Sequence, residues 1–170
     1  MDQETIAEGR YLRLVRQDHW EYVERRGING VVVIVPFLGD GRLIFIEQYR
    51  PAVKSICIEF PAGLSGDSAD KAAEPLEAAA RRELLEETGY EADEFDFLGE
   101  SVPTAGLTSE RMSFFAARGL RRVAAGGGVE HERIVTHLVP LAEVRTWLAE
   151  QSKRAVVSGT VYAGLYLTGQ

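Results

Sequence analysis

Arg82-Glu83-Leu84-Leu85-Glu86-Glu87-Thr88-Gly89-Tyr90 is the stretch that decides the fold of this 170-residue chain. Its acids Glu83, Glu86 and Glu87 stand at i, i+3 and i+4, so in a helix they share one face. By itself such a face is unfavourable. Like charges at i,i+4 cost roughly 0.2–0.5 kcal/mol per pair, and acids in a last turn oppose the macrodipole by about 0.3–1 kcal/mol each. A cation brought to the face turns that repulsion into a binding site. Read alone, the run is a solvated helix surface carrying two i,i+4 pairs of small worth, Glu77–Arg81 and Arg82–Glu86. Its neighbours point elsewhere.

Pro75 at the first helical position and Gly89 just past the end bracket the helix. Glu74, Arg82, Glu83, Leu84, Glu86, Glu87, Gly89 and Tyr90 match the pattern Gly-x5-Glu-x7-Arg-Glu-U-x-Glu-Glu-x-Gly-U at every position from the first glutamate onward. On these residues the chain closely resembles the Nudix hydrolase family. One departure lies upstream, where ten residues instead of five separate Gly63 from Glu74. The extra length falls in Leu64–Ala73, a Gly/Ser/Asp-rich stretch that reads as loop, where insertion costs little closure entropy.

Further segments resemble the branch of that family that cleaves ADP-ribose and other nucleoside-diphosphate sugars. Gln48-Tyr49-Arg50-Pro51-Ala52, followed by Glu59-Phe60-Pro61-Ala62-Gly63, implies a phosphate-contacting Arg50 and a metal-binding carbonyl at Ala62. An exposed surface arginine at a strand end is the plainer reading of Arg50. Gly128-Val129-Glu130-His131-Glu132 implies a loop glutamate that closes over the diphosphate. Glu130 and Glu132 both qualify and share a side if the segment is extended, which turns His131 away. Trp20-Glu21 with Arg25 implies a substrate-binding hairpin whose aromatic stacks on the base, although packing within a dimer serves Trp20 equally well. Thr104-Ala105-Gly106-Leu107-Thr108-Ser109-Glu110 resembles the Ser-Pro-Gly-x-Ser/Thr-x-Glu loop of the branch, with Ala105 where proline is usual and Pro103 two residues earlier.

The wider chain is compatible with this. Its length suits one domain with a real core. A net charge of −7 argues against a nucleic-acid partner. Neither a leader peptide nor a membrane-length apolar run is legible. The lone Cys57 allows no internal disulfide, which favours the cytoplasm, and between Ile56 and Ile58 it reads as a small buried hydrophobe.

Two strands are expected over 10–17 and 19–26 around a turn near Asp18, forming a dimerisation hairpin within residues 1–30. Gly27–Gly30 reads as a turn and Val31–Phe37 as a strand buried on both faces. Gly39-Asp40-Gly41 is expected to return the chain as that strand's hairpin partner, Leu43–Tyr49. Strands follow at Ile56–Phe60, 95–101, 111–118 and Ile134–Leu138, the last after a Gly-rich loop at Ala124–Gly128. Two helices near 141–151 and 155–167 close the chain. The expected class is α/β (α+β), a Nudix α/β/α sandwich with a mixed sheet over residues 31–170 behind the N-terminal hairpin.

The resemblance implies hydrolysis of ADP-ribose to AMP and ribose 5-phosphate, with Mg²⁺ or Mn²⁺ held by Glu83, Glu87, Glu132 and the Ala62 carbonyl. Glu86 is a ligand or supports one, Arg82 orients a carboxylate through charge-assisted bonds, and Glu130 orients or deprotonates the attacking water. The alternatives are a GDP-mannose or broad-range nucleotide-sugar diphosphatase and, in a different class, a non-catalytic ADP-ribose sensor. Sensors of that kind carry degenerate boxes and an added DNA-binding domain, and neither is expected here, since the box is intact from Glu74 onward. A homodimer is expected, because a two-stranded hairpin needs a surface to pack against.

Overall fold

A computed structural model describes residues 3–67, 72–129 and 133–170. The N-terminal residues form β1 (Gln3–Glu8), β2 (Leu12–Gln17) and β3 (Trp20–Arg25), an antiparallel sheet in that order. The expected turn at Asp18 is present, at a positive φ of 56°. The hairpin is only the inner part of the sheet, because β1 folds back onto β2 and gives it a second hydrogen-bonded edge. Nor does the sheet stand free. Val23 donates its N–H to Leu107 O (2.8 Å) and accepts one from Ser109 (3.2 Å), and Val15 is fully buried.

The body continues with β4 (Gly30–Pro36), β5 (Arg42–Arg50), β6 (Ser55–Glu59), β7 (Ala62–Ser65), α1 (Leu76–Thr88), β8 (Tyr90–Glu91), β9 (Glu94–Ser101) and β10 (Met112–Arg118). After them come β11 (Arg121–Arg122), β12 (Val135–Pro140), a 3-10 turn at Leu141–Glu143, α2 (Val144–Gln151), β13 (Val156–Val157) and α3 (Gly159–Leu167). One four-stranded sheet runs β7-β4-β10-β9 and another β12-β5-β6-β13, with β11 and β8 paired separately. Pairing is mixed: β4 lies parallel to β10 and β6 parallel to β13, while the remaining ladders are antiparallel.

The Gly39–Gly41 turn forms, closed by Leu38 N–H on Arg42 O (2.8 Å) and by the Asp40–Arg42 ion pair. It does not make β4 and β5 hairpin partners. Beyond the bridge Phe37–Leu43 the strands separate into different sheets. Each thereby pairs along both edges, β4 with β7 and β10 and β5 with β6 and β12, which a hairpin would have denied one edge of each.

Alternation along β4 shows how the layers form. Val32 and Ile34 pack with Ala79, Ala80 and Leu84 of α1 and with Phe115 and Ala117 of β10. Val33 and Val35 pack on the opposite side with Phe45, Phe60, Phe114, Leu148 of α2 and Val161 of α3. Helices therefore cover both faces, the arrangement that a near-continuous apolar strand requires. Leu64 and Ser65, expected in the loop before the helix, instead belong to β7 and pair with Val31 and Gly30. Cys57 is buried, and burial raises its thiol pKa, in keeping with an unreactive packing residue.

Candidate active site

The core-facing stripe of α1 (Ala79, Ala80, Leu84) fixes the rotation of the helix, and that rotation presents its acids to β7. The helix begins at Leu76 with Pro75 as its cap, one residue later than expected, and ends at Gly89 in the left-handed region (φ 77°). Gly89 N–H bonds Leu85 O at 2.8 Å. Glu87 is 2% exposed, and its Oε2 accepts the Ala62 N–H at 3.0 Å. Next to Ala62, Gly63 leaves room for Glu83. A Cβ at position 63 would lie 2.0 Å from the Glu83 carboxylate, so only glycine lets strand and acid approach this closely.

Arg82 organises the charge. Its Nε and Nη2 fork onto both oxygens of Glu74 (3.0 and 3.1 Å). Nη1 bridges Glu83 Oε1 (2.8 Å) and Glu86 Oε2 (3.1 Å), and Nη2 also donates to Leu64 O (2.8 Å). The Glu74 bonds, and then the nearby Glu83 charge, raise the Arg82 pKa further, so the guanidinium is a permanent cation among the acids.

The C-terminal end of α1, where acids oppose the macrodipole, is held by backbone amides. Gly127 and Gly128 donate to the carbonyls of Glu87 (2.9 Å) and Glu86 (3.0 Å), and Val123 and Ala124 donate to Gly89 O. Gly126 sits at φ 71°, and a Cβ there would stand 2.4 Å from the Thr88 carbonyl carbon. The Gly-rich stretch, read from sequence only as a loop, is therefore a cap on the acid-bearing turn.

The other expected site residues fall into separate places. Arg50 binds Glu59 Oε2 through Nε (2.9 Å) and Nη2 (2.8 Å), alongside Gln48 (3.0 Å). Trp20 is 51% exposed at the start of β3. Glu21 pairs with Arg16 at 3.3 Å, and Arg25 with Glu110 of the 104–110 segment at 2.6 Å. Along β3 side chains alternate, so Glu21 and Arg25 share one face and Trp20 takes the other. Glu130 and Glu132, with His131 between them, lie outside the described residues.

Among the described residues no three His, Cys, Asp or Glu side chains stand ready as a metal cage. Arg82 Nη1 instead bridges Glu83 and Glu86. The donor chemistry still fits a hard divalent cation, since Glu83, Glu86 and Glu87 offer carboxylate oxygens on one face beside the Ala62–Gly63 backbone. Sequence reading missed Asn29 and Ser65. Asn29 Nδ2 donates to Ala72 O (2.9 Å) and Glu74 O (3.3 Å), and Ser65 Oγ donates to Glu74 O (2.6 Å). The only sequence signal was the turn character of Gly27–Gly30.

A family model describing the NUDIX domain matches residues 28–158. A methanol dehydrogenase activator of Bacillus methanolicus is 30% identical over 139 residues, covering 81% of this chain and 71% of that protein. A GDP-mannose pyrophosphatase of Klebsiella pneumoniae is 31% identical over 154 residues, covering 86% and 72% respectively. Of some other curated relatives the matched part of this chain spans about half the length. Among solved structures, the crystal structure of an ADP compounds hydrolase superposes with a TM-score of 0.73 at 26% identity, over 99% of this chain and 90% of that one. No helix among the described residues is long and apolar enough to cross a membrane.

Proposed function

This chain belongs to the Nudix hydrolase family, and from that premise we propose that it hydrolyses the diphosphate bond of ADP-ribose, releasing AMP and ribose 5-phosphate. Water adds to one phosphorus, the bridging P–O bond breaks, and the proton of the attacking water leaves to a base. The observation that carries the reading is the packing of buried Glu87 against Ala62 and of Glu83 against Gly63, with Arg82 bridging Glu83 to Glu86.

Glu83, Glu87, Glu132 and the Ala62 carbonyl would hold Mg²⁺, with Mn²⁺ as the alternative. When bound, such an ion neutralises charge on the diphosphate oxygens and favours displacement at phosphorus. The protein's own groups do the rest. Arg82 holds Glu83 and Glu86 in place, and Glu74 holds Arg82. Glu86 supports the ligand set, and Glu130 accepts the proton of the attacking water. For Glu130 and Glu132 the assignment rests on their position after the Gly-rich loop.

Arg50 would contact phosphate oxygens after exchanging its bond to Glu59 for them. Trp20 would stack on the base and Glu21 and Arg25 would bind substrate polar groups. Because Trp20 faces away from Glu21 and Arg25, we assign these contacts to two protomers of a homodimer joined through the N-terminal sheet. The cytoplasm is the proposed compartment, with no nucleic-acid or membrane partner.

A second reading, supported by the Klebsiella relative and by Ala105 in place of a proline, is a GDP-mannose or broad-range nucleotide-sugar diphosphatase. A panel of nucleoside-diphosphate sugars assayed with Mg²⁺ and Mn²⁺, releasing phosphate through a coupled phosphatase, separates the two. ADP-ribose is expected to exceed GDP-mannose at least tenfold in kcat/KM. Equal or reversed efficiencies select the second reading, and no turnover of any diphosphate sugar selects a binding protein.

A further inference from the structure

The extra residues between Gly63 and Glu74 leave from β7 and return at Glu74, the residue that holds Arg82. Their two ends are tied together at a narrow neck. Asn29 N–H donates to Ser65 O (2.7 Å), extending the β4–β7 ladder past the Gly30–Ser65 pair. On the return side Asn29 Nδ2 reaches the carbonyls of Ala72 and Glu74, and Ser65 Oγ reaches the same Glu74 carbonyl at 2.6 Å. Ser65 is fully buried, where a hydroxyl needs its partner. Gly66 completes the neck at φ 79°, and a Cβ there would lie 2.6 Å from Asn29 Nδ2.

We infer that Asn29 and Ser65 are positioning residues for the acidic site: by clamping the Glu74 carbonyl they aim its carboxylate at Arg82, and through Arg82 they hold Glu83 and Glu86. Neither residue touches the reacting atoms. The relay is continuous, from Asn29 and Ser65 to the Glu74 backbone, from the Glu74 carboxylate to the Arg82 fork, and from Arg82 Nη1 to Glu83 and Glu86. The clamp also accounts for the inserted length, because a loop closed at its neck can lengthen without moving the residue where it ends. The inference rests on the proposed role of the helix acids in holding a cation.

Its test measures Mn²⁺ binding without substrate, by titration calorimetry, on wild type, Asn29→Ala, Ser65→Ala and the double variant. Asn29 is exposed, so its truncation leaves the fold intact, and melting curves verify this for each protein. The expected result is a Mn²⁺ dissociation constant at least fivefold weaker in the double variant. Its kcat should fall at least tenfold while KM for the preferred sugar nucleotide stays within twofold. A purely structural role would lower the melting temperature without that split. Wild-type Mn²⁺ affinity and kcat in the double variant overturn the clamp alone. A wild type that binds no Mn²⁺ overturns the cation reading of the helix, and the clamp with it.

Discussion

The N-terminal sheet and the acidic end of α1 are both dense in charge, yet they use it differently. On the sheet, Arg16 pairs with Glu4 and Glu21 and Arg26 with Glu8, all with side chains largely in water. Exposed pairs of this kind contribute about 0–1 kcal/mol each, and what seats the sheet is buried Val15 and the backbone seam to Leu107 and Ser109. At α1 the pairs between Arg82 and its acids are mostly shielded, and one guanidinium serves three carboxylates. There the acids surround one permanent cation, and the turn that carries them is capped by amides. Charge spread over a solvated sheet contributes little at any one pair.

The strongest way to break this contrast is Glu87→Gln. Glutamine keeps an oxygen for the Ala62 N–H and removes one charge from a repelling cluster. Turnover is expected to fall by orders of magnitude, while the melting point without divalent ions stays at or above that of wild type. Near-normal kcat at saturating Mg²⁺ would remove the acidic face from the chemistry. Gly63→Ala attacks the same face from the strand, since its methyl group must displace the Glu83 carboxylate. A tenfold or greater loss of kcat is expected with the melting point nearly unchanged, because the displaced group is a side-chain end and not backbone. Loss of fold and activity together would make the close approach a packing feature.

On the sheet, Trp20→Ala should raise KM about 5- to 150-fold, the equivalent of about 1–3 kcal/mol of base stacking, with a smaller change in kcat. Deleting residues 1–26 should give monomers with weakened substrate affinity, measured by light scattering and steady-state kinetics. A full-length chain that is monomeric at micromolar concentration refutes the two-protomer arrangement, and parallel loss of stability and kcat in Trp20→Ala assigns the ring to packing.

The smallest effect calibrates the comparison at a partly shielded pair in the body. Glu47 accepts from Arg154 (3.0 and 2.5 Å) and lies 3.0 Å from His137 Nε2. Arg154 above all, then His137, hold its carboxyl below the usual glutamate range against the opposing effect of burial. A carboxylate depressed in the folded state stabilises above its unfolded pKa, about 4.3, and that contribution is lost as pH falls through the lower folded value. Glu47→Gln should therefore melt a few degrees below wild type at pH 7, with the gap closing below about pH 4. A gap that persists there would make its origin packing and not charge.

The acids of α1, its glycine stop and the two-faced burial of β4 were legible in the sequence because each is a local pattern read at helical or strand spacing. Legible too was the family resemblance, since the 82–90 motif is contiguous. Tertiary structure decided what depends on residues distant in the chain. The Gly39–Gly41 turn reads as a hairpin in isolation, and only the competing edges of β7, β10, β6 and β12 draw its strands into separate sheets. Alternation by itself parts Trp20 from Glu21 and Arg25, but only the fold brings Arg25 to Glu110 and Val23 to the seam with residues 107–109. Asn29, Ser65 and the amides of Gly127 and Gly128 carry no signature beyond turn and loop character, because a backbone carbonyl accepts from any donor that the fold brings within reach. Sequence alone thus determined which charges this protein carries and on which helix. Which groups hold those charges in place was decided by packing, since hydrogen bonds to main-chain atoms depend on where the chain passes and not on which residue passes there.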